Sequence, residues 1–165
     1  MLKRLSNDRR FIYFWGMDKE KILSACFTIV DQKIVQVDLG IQDANQSLQD
    51  DTKSSAGDKY ETSREMIQQD LNRYEQQLKV LNQDLDILTR IKNQKLDVQK
   101  SGLGSLVQTD KGFYFLAISI GQIIIDDQKV FCISTASPIG KILLGKAIGE
   151  SFEFNGTKQV IKALY

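Results

Sequence analysis

Four carboxylates crowd one short stretch of the chain: Asp50, Asp51, Asp58 and Glu61. Carboxylate oxygens are hard ligands that suit Mg2+, so such residues on a projecting turn could hold a divalent cation. One or two of them bind Mg2+ weakly, and a partner would have to complete the coordination. The same residues also fit a plain solvated turn, with Asp58 and Glu61 offsetting the dipole at a helix start. Spacing alone leaves both readings open.

Other chemistry is scarce. The chain has no His, which excludes His-dependent triads, His-ligated zinc and Cys–His active sites. Its two cysteines, Cys26 and Cys132, lie far apart without any metal-binding spacing, and read as buried, reduced thiols of a cytosolic protein. Gly140 and Gly145 sit near Lys141 and Lys146, but the spacing of a phosphate-binding loop fails. That stretch reads as a capped helix covering a sheet. The aromatics Phe113, Tyr114, Phe115, Phe131, Phe152 and Phe154 are expected in the core by alternation.

The 165 residues suffice for one ordinary domain or two small units. Apolar residues make up 42%, and 22 basic residues nearly balance 21 acidic ones, for a net charge of +1. Such a balance gives no global electrostatic reason to bind a bare duplex. No stretch reaches the roughly 18–20 unbroken apolar residues that span a bilayer, so no membrane partner is expected. Residues 1–16 read as a disordered or over-called extension, because Met17 makes a natural start.

The acidic residues must be positioned by two long helices. Apolar residues recur at Leu23, Phe27, Val30, Ile34, Val37, Ile41, Ala44 and Leu48, a sustained heptad seam. A matching run reads Tyr60, Ile67, Leu71, Tyr74, Leu78, Leu81, Leu85 and Leu88. The polar segment QDDTKSSAGDKY between them predicts an antiparallel hairpin over residues 17–94 with its tip at 50–61. A register centred on that turn pairs Ile41 with Ile67, Val37 with Leu71 and Ile34 with Tyr74. The arm from Leu23 to Leu48 would be about 40 Å long. QKIVQVDLG, residues 32–40, is strand-like by composition, yet the heptad runs through it and predicts helix. Gly40 there reads as a flexible point that costs about 1 kcal/mol relative to Ala.

After a polar linker at 95–104 the pattern becomes β. Strands are expected at Ser105–Thr109, Phe113–Ser119, Gln122–Ile125, Val130–Thr135, Phe152–Phe154 and Gln159–Leu164. Turns fall at Asp126–Lys129 and Asn155-Gly156, and Ser137-Pro138 opens a short helix. The fold class is therefore α+β: an N-terminal coiled-coil hairpin followed by a small α+β domain at 105–165.

The string SPIGKILLGKAIGESFEFNG, residues 137–156, is very similar to the C-terminal signature of bacterial GreA/GreB transcript-cleavage factors. The preceding hairpin resembles that family's coiled coil, and Gly57-Asp58-Lys59-Tyr60-Glu61 keeps its Gly-Asp-x-x-Glu tip spacing. The tip SSAGDKYET looks like that of a divergent, Bacteroidetes-type branch. The resemblance covers residues 17–165 and implies an FKBP-like C-terminal domain.

It further implies a cytoplasmic, monomeric accessory factor rather than an enzyme. The C-terminal domain would bind RNA polymerase through Ser137, Pro138, Gly140, Lys141, Gly145 and Lys146. Asp58 and Glu61 would reach the polymerase active centre, with only indirect contact to nascent RNA. The chain would carry no cofactor of its own, and Asp58 and Glu61 would share a Mg2+ ion only in the complex. There the polymerase would hydrolyse a backtracked transcript. Tyr60, Thr62 and Ser63 depart from the family's tip pattern, and Lys59 lowers its negative charge. A relative that occupies the channel without cleaving is the nearest alternative. A peptidyl-prolyl isomerase and a plain coiled-coil adaptor are alternatives of another class. The former usually has a Trp floor, and the one Trp, Trp15, lies outside the C-terminal domain.

Overall fold

The computed structural model describes residues 17–51, 58–94 and 99–165, without the side chains of 50, 51 and 58–60. The expectations for residues 1–16, for most of the tip and for linker residues 95–98 lie outside it. Two long helices come first, α1 (Lys19–Asp51) and α2 (Asp58–Asn93). Asp18 starts α1: its Oδ1 accepts from the backbone N–H of Glu20 at 3.0 Å. Residues 32–40 are helical throughout, as the heptad predicts. Val37 is buried there, and packing of the seam overrides local β propensity.

The strands are β1 (Leu106–Thr109), β2 (Phe113–Ala117), β3 (Gly121–Ile125), β4 (Gln128–Ser134), β5 (Ser151–Phe154) and β6 (Thr157–Leu164). A short helix, α3 (Pro138–Leu143), follows β4. The six strands form one mixed sheet in the order β3-β4-β2-β1-β6-β5. β4 is inserted between β3 and β2, antiparallel to the first and parallel to the second. Two-residue turns close both expected hairpins. Asp126 and Asp127 have φ of 48° and 63°, and Asn155 and Gly156 have 49° and 73°. These are the left-handed values that suit the twist of a tight hairpin.

The sheet has two apolar faces, one packed against the hairpin root and the other covered in part by α3. On one face Phe115, Ile123, Val130 and Cys132 join Ile22, Cys26, Val30 and Leu88 of the hairpin in a single core. On the other, Val107, Leu116 and Ile161 pack with Ile139 and Leu143 of α3 and Phe152 of β5. The root of the hairpin, the sheet and α3 thus form three layers.

This packing changes the role of α1. The expected seam residues Leu23, Phe27 and Ile34 are half-buried, whereas Ile22 and Cys26 are fully buried. Near its root α1 touches α2 on one side and the sheet on the other, so it carries a second apolar stripe. Two contacts define that docking. Lys21 Nζ pairs with Asp126 in the β3–β4 turn at 2.8 Å, and Cys26 Sγ lies 3.7 Å from Cys132 Sγ.

Candidate functional site

Counting from Cys26 at the root, α1 continues to Asp51, about 40 Å further at 1.5 Å per residue. α2 returns from Asp58. Glu61 lies in the first turn of α2 and is exposed. Asp58 opens that helix three residues earlier, and positions i and i+3 share a helix face. The side chains of Asp50, Asp51 and Asp58 lie outside the described residues. Among the described residues, no group of three or more His, Cys, Asp or Glu could hold a metal ion. Two carboxylates one turn apart suit a Mg2+ ion whose remaining ligands come from a partner.

The other candidate residues cluster where β4 turns into α3. Ser137 caps the helix: its Oγ accepts from the Gly140 N–H at 3.1 Å and donates to the Ser134 carbonyl at 2.6 Å. Pro138 occupies the first turn, where its missing N–H is no loss. Gly140 is buried against the preceding strand, and a Cβ there would fall 2.0 Å from the Ser134 carbonyl oxygen. Only hydrogen fits. Lys141, next along, is exposed.

The far end of α3 is pinned by Ser101, which polar composition assigns to the linker. Ser101 is buried; its backbone N–H donates to the Lys146 carbonyl and its carbonyl accepts from the Gly145 N–H, each at 2.8 Å. Its hydroxyl also donates to the Leu143 and Lys146 carbonyls. Ser137, Gly140, Gly145 and the backbone of Lys146 thus build the corner, and Lys141 is the exposed charge it presents. The signal for Ser101 was faint, since a Ser beside Gly resembles any loop.

A second surface also escaped the sequence reading. Tyr114 and Phe131 are neighbours on the α3 side of the sheet and stack with ring centroids 5.7 Å apart. Phe131 remains 38% exposed because α3 covers only part of this face. The Tyr114 hydroxyl and the amide of buried Gln159 exchange hydrogen bonds, and Gln159 Oε1 also accepts from Thr109 Oγ1 at 2.9 Å. Phe131 is the exception to the expected aromatic core, because alternation assigns a face and not its cover.

Two ionisable groups that brace the fold are shifted. The hydrogen bond and charge of Asp126 raise the Lys21 ammonium above its ordinary range. The Val160 N–H, donated to Asp110 Oδ1 at 2.9 Å, holds that carboxyl below its usual range. Among the described residues, no helix is long and apolar enough to cross a membrane. In comparison with known proteins, no family model matches the chain and no curated protein matches it.

Proposed function

We propose that this chain is a Gre-like elongation factor: it binds RNA polymerase through its C-terminal unit and passes the hairpin tip into the secondary channel. There it promotes cleavage of backtracked transcripts in the cytoplasm. The observation that carries this reading is the reach of the hairpin, which holds two carboxylates about 40 Å from its anchored root. A projection of this kind suits delivery of ligands into another protein's buried site. The stretch at residues 137–156, similar to the Gre C-terminal signature, adds support for an FKBP-like C-terminal domain.

Asp58 and Glu61 help to hold a Mg2+ ion shared with the polymerase. That ion supplies Lewis-acid activation of water when bound. The hydrolytic centre belongs to the polymerase, and this chain is its accessory. Lys141 and the surface around Ser137–Lys146 make the polymerase contact, with Lys141 as the accessible charge. Binding of the parent protein to core RNA polymerase, followed by transcript cleavage in halted complexes, tests the reading.

Lys59, between the two acids, favours a second reading. Its ammonium would oppose cation binding, and the tip would then occupy the channel without promoting cleavage. Polymerase binding with no shortening of the transcript would select this alternative.

A further inference from the structure

The chain has two cysteines, and the fold brings them together across 106 positions of sequence. Cys26 lies on α1 and Cys132 on β4, with their sulfurs 3.7 Å apart. They are 0% and 1% exposed and belong to the core that joins the hairpin root to the sheet. Neither takes part in the proposed tip chemistry. We propose that Cys26 and Cys132 form an oxidation-sensitive pair, which a peroxide converts to an intramolecular disulfide that locks the hairpin root onto the sheet.

A disulfide bond is about 2.05 Å long, so the sulfurs must approach by roughly 1.7 Å. Rotation of the two side chains, with any accompanying shift of α1 against β4, would supply that approach. The neighbouring Lys21–Asp126 pair is solvent-exposed and holds this region weakly. Burial sets the rate, because peroxide reaches the sulfurs only when the root opens locally. The pair also eases its own first ionisation: the two sulfurs share one S–H···S contact, in which either can donate, and that contact lowers the Cys26 thiol. The Cys132 thiol is driven far above its ordinary range by that hydrogen bond and by burial.

The reaction balances with one peroxide. The Cys26 thiolate attacks a peroxide oxygen, the O–O bond breaks, and hydroxide leaves to take a proton as the first water. Cys26 is then a sulfenic acid. The Cys132 sulfur attacks the Cys26 sulfur, forming the S–S bond and breaking the S–O bond. The second hydroxide takes the Cys132 proton and leaves as water. Two thiols lose two electrons, and the peroxide gains them.

The test uses the full chain. The reduced protein is treated with a small excess of hydrogen peroxide under native conditions, quenched, unfolded and alkylated. The expected product is a monomer two hydrogens lighter than the reduced chain, with neither cysteine alkylated. A non-reducing peptide map should join Cys26 to Cys132, and dithiothreitol should restore both thiols. The oxidised protein should also melt several degrees higher, since the bond closes a long loop. Two free thiols after prolonged native treatment would overturn the proposal. So would a disulfide that forms only in denaturant, sulfinic acids, or disulfide-linked dimers as the main product. Cys26→Ala and Cys132→Ala should each abolish the mass loss; if either fails to fold, the peptide map of the parent still decides.

Discussion

The ring of Tyr74 on α2 lies directly over Gly40 on α1, where a Cβ at Gly40 would meet the ring Cζ at 2.5 Å. The register centred on the turn pairs Ile34 with Tyr74. Long side chains on a helix point toward its N-terminus. For α2 that direction is toward the tip, but six residues of helix span about 9 Å, so the pairing of α1 with α2 is itself shifted from the expected register, and Tyr74 faces Gly40 instead of Ile34. Gly40 is therefore a packing position on the hairpin seam rather than the flexible point its residue type suggests.

This relationship predicts energetic coupling. Gly40→Ala gains up to about 1 kcal/mol of helix propensity, but in the parent it must lift the Tyr74 ring from its seat. We expect it to be neutral or destabilising there, and stabilising by about 1 kcal/mol in a Tyr74→Ala background. Denaturant melts of the two single variants and the double variant measure this. Equal effects of Gly40→Ala in both backgrounds would refute the contact.

Gly140 should tolerate nothing larger. Its would-be Cβ collides with a backbone carbonyl, which cannot swing aside as a side chain does. Gly140→Ala should cost roughly 2–3 kcal/mol by thermal or denaturant unfolding. A loss below about 0.5 kcal/mol would mean that the β4–α3 corner is looser than described.

Lys141 separates folding from docking. Its side chain is exposed, so Lys141→Glu should shift stability by no more than about 0.5 kcal/mol. On the proposed function it should weaken binding to core RNA polymerase several-fold, as a pull-down or titration would report. Parent-like binding would move the docking surface elsewhere, with the partly exposed Phe131 face the next region to probe.

Asp110 links stability to pH. Its folded pKa is depressed below the ordinary 3.8, chiefly by the Val160 N–H. A depressed carboxyl contributes stability above its unfolded pKa and loses it as pH falls through the folded value. Asp110→Asn should therefore lower the melting temperature at pH 7, with the difference from the parent shrinking below about pH 4. A difference that stays constant from pH 7 to pH 3 would contradict the assignment.

The legible parts of this fold were those written in local pattern. The two long helices, the Asn155-Gly156 turn and the Ser137-Pro138 cap fall where residue type and spacing put them, whereas the expected Asp126–Lys129 turn is two residues shorter because Gln128 and Lys129 already belong to β4. What stayed hidden depends on non-local packing. The Ile22 and Cys26 stripe was masked by the stronger seam one residue away, and its partner on β4 lies more than a hundred residues later. The insertion of β4 between β2 and β3 is likewise a choice of pairing that no single strand announces. At the tip, the spacing of Asp58 and Glu61 was plain from sequence. On the proposed function, the remaining Mg2+ ligands would come from the polymerase and so are not written in this chain.

On the proposed function, the tip carboxylates act within a polymerase active centre. The length of nascent RNA in purified, backtracked polymerase complexes across a Mg2+ titration reports that action. The parent protein should release short 3′ fragments, whereas Asp58→Asn with Glu61→Gln should bind equally well and leave the transcript whole. The double substitution should barely affect folding, because exposed charges at a helix start contribute roughly 0.3–1 kcal/mol. A parent protein that binds the complexes yet releases no fragment at any Mg2+ concentration would contradict the catalytic role of the tip.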